Sequence, residues 1–125
     1  MAALLEGVGS GAVSNPVSDV GEADLILVIG SNPTSNHPVA AAWMKNAAQR
    51  GARIVLADPR RTDLSRHAWR TLTFTSGADV MLLSALLNVI VTEGLTDPAF
   101  IAQRTTHHAE IVASVRERTP EAMAP

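Results

Sequence analysis

Three stretches of polar residues each follow an apolar segment, and their side chains suit an anionic ligand. The first, residues 30–36, offers amides, hydroxyls and backbone N–H groups to phosphate or sugar oxygens. In the second, Asp58 can accept two hydrogen bonds from a ribose diol or a guanine edge, and Arg60 can pair with phosphate. The third, residues 75–79, ends in Asp79, which suits a purine in the same way. The alternative is that these Asn, Asp and Ser residues serve only as turn formers and helix caps.

The apolar segments before these loops predict the strands of a parallel sheet. They span residues 25–29, 53–57 and 70–74, and the first is an uninterrupted apolar run that suits a strand buried on both faces. The Ala-rich segment from Pro38 to Gly51 predicts the crossover helix between the first two strands. Ligands usually bind at the carboxyl ends of such strands, so the three loops are expected to line up there. The predicted fold is α/β, a Rossmann-like open parallel sheet with flanking helices that forms part of a larger domain.

The sequence after the third loop predicts helices. They are expected at residues 80–93, 98–103 and about 106–118, whereas the chain ends too soon for the helix-start signal at 119–121 to be used. The first of them is apolar nearly all round, and its polar line of Ser84, Asn88 and Thr92 is expected to face another helix or solvent. We therefore expect three parts, a Gly-rich lead-in, a dinucleotide-binding α/β core and a truncated helical extension, at residues 1–24, 25–94 and 95–125.

Composition excludes several classes of function. The 125 residues, 46% of them hydrophobic, suffice for one modest domain with a core. A net charge of -2 and only 3% aromatic residues argue against a nucleic-acid partner. Cysteine is absent from the sequence, which removes disulfides, thiolate-held clusters and a Cys nucleophile. The sequence predicts no membrane span and no secretion signal, so a cytoplasmic location is expected.

The four histidines do not have the spacing of a metal site. His107 and His108 are adjacent and lie on different faces of a helix, and no carboxylate stands at the spacing of a helical zinc site. His37 opens a helix beside the first loop, where a capping role is expected. No metal ligand and no catalytic residue is therefore predicted within this chain.

Several separated motifs, in the right order, resemble the molybdopterin oxidoreductase family. They are Gly-Ser-Asn-Pro-Thr-Ser-Asn-His-Pro at 30–38, Ala-Asp-Pro-Arg-Arg at 57–61, and Ser-Gly-Ala-Asp-Val-Met-Leu-Leu at 76–83. Within that family the chain is most similar to the catalytic alpha subunit of formate dehydrogenases, in which residues 9–15, 88–95 and 100–105 also find counterparts.

The resemblance implies an internal slice of a much longer oxidoreductase, which removes hydride from formate to give carbon dioxide and passes the electrons to an acceptor such as NAD. The slice is expected to bind the guanine dinucleotide part of a bis(molybdopterin guanine dinucleotide) cofactor that carries molybdenum or tungsten. The residues expected to contact this cofactor are Gly30, Asn32, Ser35 and Asn36 from the first loop, Asp58, Pro59 and Arg60 from the second, and Gly77 and Asp79 from the third.

The sequence also departs from that family. The family's metal-ligating Cys or selenocysteine, the His that follows it and the Cys-rich segment for a [4Fe-4S] cluster do not occur in these residues. The isolated chain is therefore expected to be inactive, with the remainder of the alpha subunit and other dehydrogenase subunits as its partners. The alternative from another class is a non-catalytic nucleotide-binding or interaction module with a Rossmann-like fold.

Overall fold

The computed structural model describes residues 5–6, 9 and 15–124, so part of the predicted Gly-rich lead-in at residues 1–24 lies outside the described residues. The chain forms two compact units, Met1–Thr73 and Phe74–Pro125. The first contains a three-stranded parallel sheet, and the described part of the second contains helices. The predicted α/β class, with an open parallel sheet and flanking helices, is confirmed. The division into three parts stays a prediction.

The sheet consists of β1 (Leu25–Ile29), β2 (Arg53–Ala57) and β3 (Arg70–Leu72), in that spatial order and all parallel. The register aligns the carboxyl ends of the three strands, because Ala57 pairs with both Ile29 and Leu72. β3 is shorter than expected from the sequence. It stops opposite the last residue of β2, where the Asp58 N–H donates to the Leu72 carbonyl at 3.1 Å and closes the ladder.

Short local signals set the helices of the first unit. Proline occupies the first turn of both α1 (Pro33–Asn36) and α2 (Pro38–Gln49), where its missing N–H costs no hydrogen bond. α2 is the predicted crossover from β1 to β2, and it ends before Gly51, which has a φ of 109°. The described part of the unit also contains two 3-10 helices, Val17–Glu22 and Asp63–His67.

The core of the first unit lies on one face of the sheet. Its buried residues are Ile26, Val28, Ile54 and Leu56 from the strands, Ala47 from α2 and Leu64 from the second 3-10 helix. Burial alternates along β1, where Leu25 and Leu27 are exposed. The prediction that this strand is buried on both faces is therefore wrong. The helices of the first unit pack their core side chains against one face of the sheet only. An apolar run in the sequence therefore did not suffice to predict burial of both faces of β1.

The second unit contains α3 (Asp79–Thr92), α4 (Pro98–Arg104), α5 (His108–Val115) and α6 (Pro120–Met123). α5 begins later than expected because His107 adopts a left-handed backbone conformation with a φ of 59°. α6 forms although the sequence was expected to end too soon for it. The Thr119 hydroxyl accepts a hydrogen bond from the Ala122 N–H at 3.2 Å and caps this single turn.

Two of the three residues in the polar line of α3, Ser84 and Asn88, face another segment of the second unit, whereas Thr92 is exposed. Asn88 is buried, and its Nδ2 donates to the carbonyls of Val115 and Arg116 at 2.8 and 3.2 Å. Ser84 is buried too, and its Oγ accepts a hydrogen bond from Arg118 at 3.1 Å. The amide of Asn88 thus satisfies carbonyl groups at the end of α5 that have no partner within that helix. No helix in the described part of the chain is both long enough and apolar enough to cross a membrane.

Candidate functional site

The first and second polar loops leave the sheet side by side. The Gly30 N–H donates to the Ala57 carbonyl at 2.9 Å, which continues the pairing of β1 with β2 by one residue beyond Ile29. Gly30 has a φ of 56°, a left-handed conformation that glycine adopts without steric cost. The chain turns away from the sheet at this residue, so the polar side chains of both loops begin at the carboxyl edge of the strands.

Side-chain hydrogen bonds hold the first loop together. Asn32 Oδ1 accepts from the Thr34 hydroxyl at 2.6 Å, and Asn32 Nδ2 donates to Ser35 Oγ at 3.0 Å. The Asn32 carbonyl accepts the N–H groups of Ser35 and Asn36 at 3.1 and 3.0 Å, which starts α1. Two residues predicted for the site, Asn32 and Ser35, are thus directly bonded to each other. The Ser35 hydroxyl, an acceptor in this pair, keeps its own hydrogen for a further bond.

The buried carboxylate of the second loop is fixed by the turn that it begins. Asp58 is 1% exposed, its Oδ1 accepts from the Arg60 N–H at 2.7 Å, and the Arg60 Nε lies 3.7 Å from the same oxygen. Pro59, with its restricted φ, stands between them. In the described part of the chain Oδ2 of Asp58 has no hydrogen-bond partner, whereas the Arg60 side chain is exposed. Asp58 is therefore a turn former whose second oxygen makes no hydrogen bond within the described residues.

Thr62 adds a polar group that sequence analysis missed. It is 7% exposed, and among the described residues its Oγ1 is the one side-chain oxygen or nitrogen that is fully inaccessible to solvent and has no hydrogen-bond partner. An unpaired buried hydroxyl costs about 1–3 kcal/mol. No sequence signal marks this residue, because a Thr among charged neighbours is expected to face solvent.

The third loop belongs to the second unit. Gly77 has a φ of 88°, and the Ala78 N–H donates to the Thr75 carbonyl at 2.9 Å, which forms the turn before α3. Asp79 is exposed, and its Oδ1 accepts from the Val80 N–H at 2.8 Å. The alignment of this loop with the other two stays a prediction.

The histidine beside the first loop does not cap a helix. His37 stands at the N-cap position of α2, but its side chain makes no capping hydrogen bond, so the predicted role is wrong. The chain passes directly from α1 into α2 at this residue, and Pro38 already removes one of the N–H groups that a cap would satisfy. Among the described residues, no three His, Cys, Asp or Glu side chains form a group that could hold a metal ion.

The chain is similar to several known proteins along most of its length. It is 37% identical over 123 residues to formate dehydrogenase H of Escherichia coli (strain K12), covering 98% of this chain and 17% of that protein. It is 39% identical over 113 residues to the F420-dependent formate dehydrogenase subunit alpha of Methanocaldococcus jannaschii, covering 90% of this chain and 17% of that subunit.

A solved structure has a similar fold. Acetylene hydratase from Pelobacter acetylenicus matches with a TM-score of 0.73 and 25% sequence identity, over 86% of this chain and 17% of the hydratase. The chain thus spans about a sixth of the length of these three proteins. Residues 2–118 match the family described as molybdopterin oxidoreductase. This match covers nearly the whole sequence, and the chain therefore belongs to the molybdopterin oxidoreductase family.

Proposed function

We propose that this chain binds the guanine dinucleotide part of a bis(molybdopterin guanine dinucleotide) cofactor, as one segment of a formate dehydrogenase-type oxidoreductase. The observation that carries the proposal is Asp58. It is a buried carboxylate at the carboxyl edge of a parallel sheet, where nucleotides commonly bind, and one of its oxygens is held by the Arg60 N–H while the other is unbonded.

Asp58 suits the hydrogen-bond donors of a guanosine. An ionised carboxylate only accepts hydrogen bonds, and guanine offers N–H donors on one edge while ribose offers two hydroxyls. Because the Arg60 N–H already fixes Oδ1 at 2.7 Å, the carboxylate loses little conformational freedom when a ligand binds. Burial strengthens each such bond because solvent competes less well.

The neighbouring groups suit the phosphates and the sugar. The exposed guanidinium of Arg60 can pair with a phosphate, and the Ser35 hydroxyl can donate to an oxygen while Asn32 holds it in place. Asn36 and Pro59 complete the two loops, and Gly77 and Asp79 of the third loop are proposed as cofactor contacts from the second unit. These residues are therefore a chemically suitable donor and acceptor set for the nucleotide portion of the cofactor.

When bound, the cofactor supplies the molybdenum or tungsten centre at which a substrate is oxidised. This chain contributes binding, and we assign it no catalytic residue. Formate is the proposed substrate because two relatives are named formate dehydrogenases. The fold alone does not identify formate as the substrate, since a hydratase has a similar fold. We assign the metal ligand, an iron-sulfur cluster and the subunits that accept electrons to the longer oxidoreductase of which this chain is proposed to be a segment. A cytoplasmic location is proposed for that oxidoreductase as well.

Calorimetric titration of the chain with GDP tests the nucleotide site. We expect Asp58→Asn to weaken GDP binding by roughly 10- to 150-fold, because hydrogen bonds to a charged group contribute about 1.5–3 kcal/mol. Asp63→Asn is the matched control. It removes the same charge from the same loop, but Asp63 is exposed and pairs with Arg66 at 3.7 Å, so its effect is expected to stay within about twofold.

Further ligands separate the two possible roles of Asp58. IDP lacks the exocyclic amine of guanine, so weaker binding of IDP than of GDP indicates the guanine edge, whereas equal binding of GDP, IDP and ADP indicates the ribose. A folded chain that binds no GDP, or an Asp58→Asn variant that binds GDP like the wild type, refutes the proposed site.

A further inference from the structure

The first loop contains a chain of hydrogen-bonded side chains that begins at a residue not predicted for the site. The Thr34 hydroxyl donates to Asn32 Oδ1 at 2.6 Å, and Asn32 Nδ2 donates to Ser35 Oγ at 3.0 Å. Thr34 and Asn32 are both half-buried. The amide of Asn32 therefore connects two hydroxyl groups, one through its oxygen and the other through its nitrogen.

The lengths of the two bonds agree with this direction of donation. A separation of 2.6 Å is normal between two oxygens but short between a nitrogen and an oxygen, whereas 3.0 Å is a common length for an N–H donor and an oxygen. An amide oxygen only accepts hydrogen bonds, and an amide NH₂ group only donates them. Because Thr34 holds Oδ1, Asn32 turns a donor toward Ser35.

The Asn32 side chain does not serve the usual role of an asparagine at the start of a helix. Asn32 stands at the N-cap position of α1, but its side chain makes no capping hydrogen bond to the backbone. The turn is closed instead by its backbone carbonyl, which accepts the N–H groups of Ser35 and Asn36. The bonds to Thr34 and to Ser35 are therefore additional to those that begin the helix, and they act on the Ser35 hydroxyl.

The direction of this chain decides which chemistry Ser35 offers. A hydroxyl that accepts from Asn32 keeps its own hydrogen for another acceptor. If the amide were turned over, Oδ1 would take that hydrogen and leave the hydroxyl as an acceptor only. In the observed direction the first loop supplies a donor, whereas Asp58 in the adjacent second loop supplies an acceptor. An ionised phosphate oxygen, which only accepts, suits the first loop.

We propose that Thr34 is a positioning residue of the nucleotide site, and that its hydroxyl fixes the Asn32 amide so that Ser35 donates to a phosphate oxygen of the ligand. This inference rests on the proposed function, which supplies the nucleotide. Thr34 does not itself contact the ligand and acts through two other side chains. It therefore sets the affinity for the phosphates and not the affinity for the nucleoside.

Titrations with GDP and with guanosine, followed by NMR so that weak binding is also measured, test this role. Thr34→Val keeps the shape of the side chain but removes the donor, and we expect it to weaken GDP binding by about 3- to 10-fold, the range of one neutral hydrogen bond. Guanosine has no phosphate, so its affinity should change by less than about twofold. Thr34→Ser keeps a hydroxyl and should bind GDP like the wild type. Thr105→Val is the matched control, since the exposed Thr105 hydroxyl donates to the Ile101 carbonyl, and it should leave GDP binding unchanged.

A double-mutant cycle with Ser35→Ala shows whether Thr34 acts through Ser35. Adding Thr34→Val to Ser35→Ala should change the GDP affinity by less than about twofold, because residues of one hydrogen-bonded network are not additive. The amide orientation is read without ligand from the nuclear Overhauser effect between the Asn32 Nδ2 protons and the Ser35 β protons, which Thr34→Val should weaken and Thr34→Ser should keep. If circular dichroism shows that Thr34→Val is unfolded, Thr34→Ala replaces it.

The outcomes separate this inference from the proposed function. If Asp58→Asn weakens GDP binding but Thr34→Val does not, the nucleotide site stands and the role of Thr34 is overturned. That role is also overturned if Thr34→Val weakens the binding of GDP and guanosine equally, if its effect adds fully to that of Ser35→Ala, or if the Overhauser effect is undiminished in Thr34→Val. A folded wild-type chain that binds no GDP refutes the proposed function, and the role of Thr34 with it.

Discussion

The buried amide of Asn88 offers the sharpest test of how the second unit is held together. Its Nδ2 donates to the carbonyls of Val115 and Arg116, at 2.8 and 3.2 Å, so Asn88→Ala removes two hydrogen bonds and leaves two carbonyls at the end of α5 without that donor. A buried polar group that loses its partner costs about 1–3 kcal/mol. Because the Val115 carbonyl keeps a second donor, the Arg118 N–H at 3.0 Å, and because the Arg116 bond is longer and only part-buried, we expect a total loss near the middle of this scale, about 2 kcal/mol.

Hydrogen exchange of the α3 and α5 amides, read by mass spectrometry, is the suitable assay, because two compact units need not unfold as one transition. Asn88→Leu keeps the volume but not the donor and should also destabilise. Thr92→Ala is the control, since the exposed Thr92 hydroxyl bonds only carbonyls of its own helix, and its effect should stay below about 0.5 kcal/mol. An Asn88→Leu variant as stable as the wild type would refute the assignment of stability to these two hydrogen bonds.

Two further predictions concern close contacts at either end of the chain. A Cβ at Gly21 would approach Arg50 Nη2 and the Trp43 ring to 3.3 Å. Gly21→Val should therefore destabilise the first unit by about 1–3 kcal/mol, and Gly21→Ala by less, as measured by urea unfolding followed by fluorescence. Equal stability of the wild type and both variants would contradict the contact. The backbone hydrogen bond of Glu121, and then the Thr119 hydroxyl, lower the pKa of Glu121 below its ordinary value, although partial desolvation opposes them. A lowered folded-state pKa means that this contribution to stability is present above the ordinary pKa and is lost as the pH falls through the folded value. The protection of the α6 amides, measured relative to their intrinsic exchange rate at each pH, should therefore fall at acidic pH in the wild type and less so in Glu121→Gln.

Local signals determined most of the fold, and tertiary pairing determined where its elements end. The crossover helix begins at Pro38 and ends before Gly51 because both residues act through their own backbone, which a sequence displays directly. β3 ends at Leu72 because its partner strand ends there, and that limit is not visible in its own residues. The left-handed conformation of His107, which delays α5, likewise has no marker in the sequence.

The candidate site, too, was predictable from local sequence only in part. Polar residues after apolar strands predicted the loops, and parallel pairing brings the first two of them together through the Gly30 to Ala57 hydrogen bond. Which atoms of those loops stay available could not be predicted, because that depends on hydrogen bonds such as the one from Asn32 to Ser35. The unpaired hydroxyl of Thr62 depends on burial, which arises only when the second loop packs.

The turn uses one oxygen of Asp58, and the proposed ligand contact is assigned to the other. Oδ1 accepts the Arg60 N–H, and Oδ2 has no partner in the described part of the chain. Asparagine can still accept that N–H through its own Oδ1, but it replaces the second acceptor with an NH₂ donor that opposes the N–H groups of guanine. Asp58→Asn should therefore preserve the turn and lose the ligand, whereas Asp58→Ala should lose both. If both substitutions destabilise the first unit equally, the turn depends on the charge of Asp58, and a loss of GDP binding could no longer be assigned to Oδ2 alone.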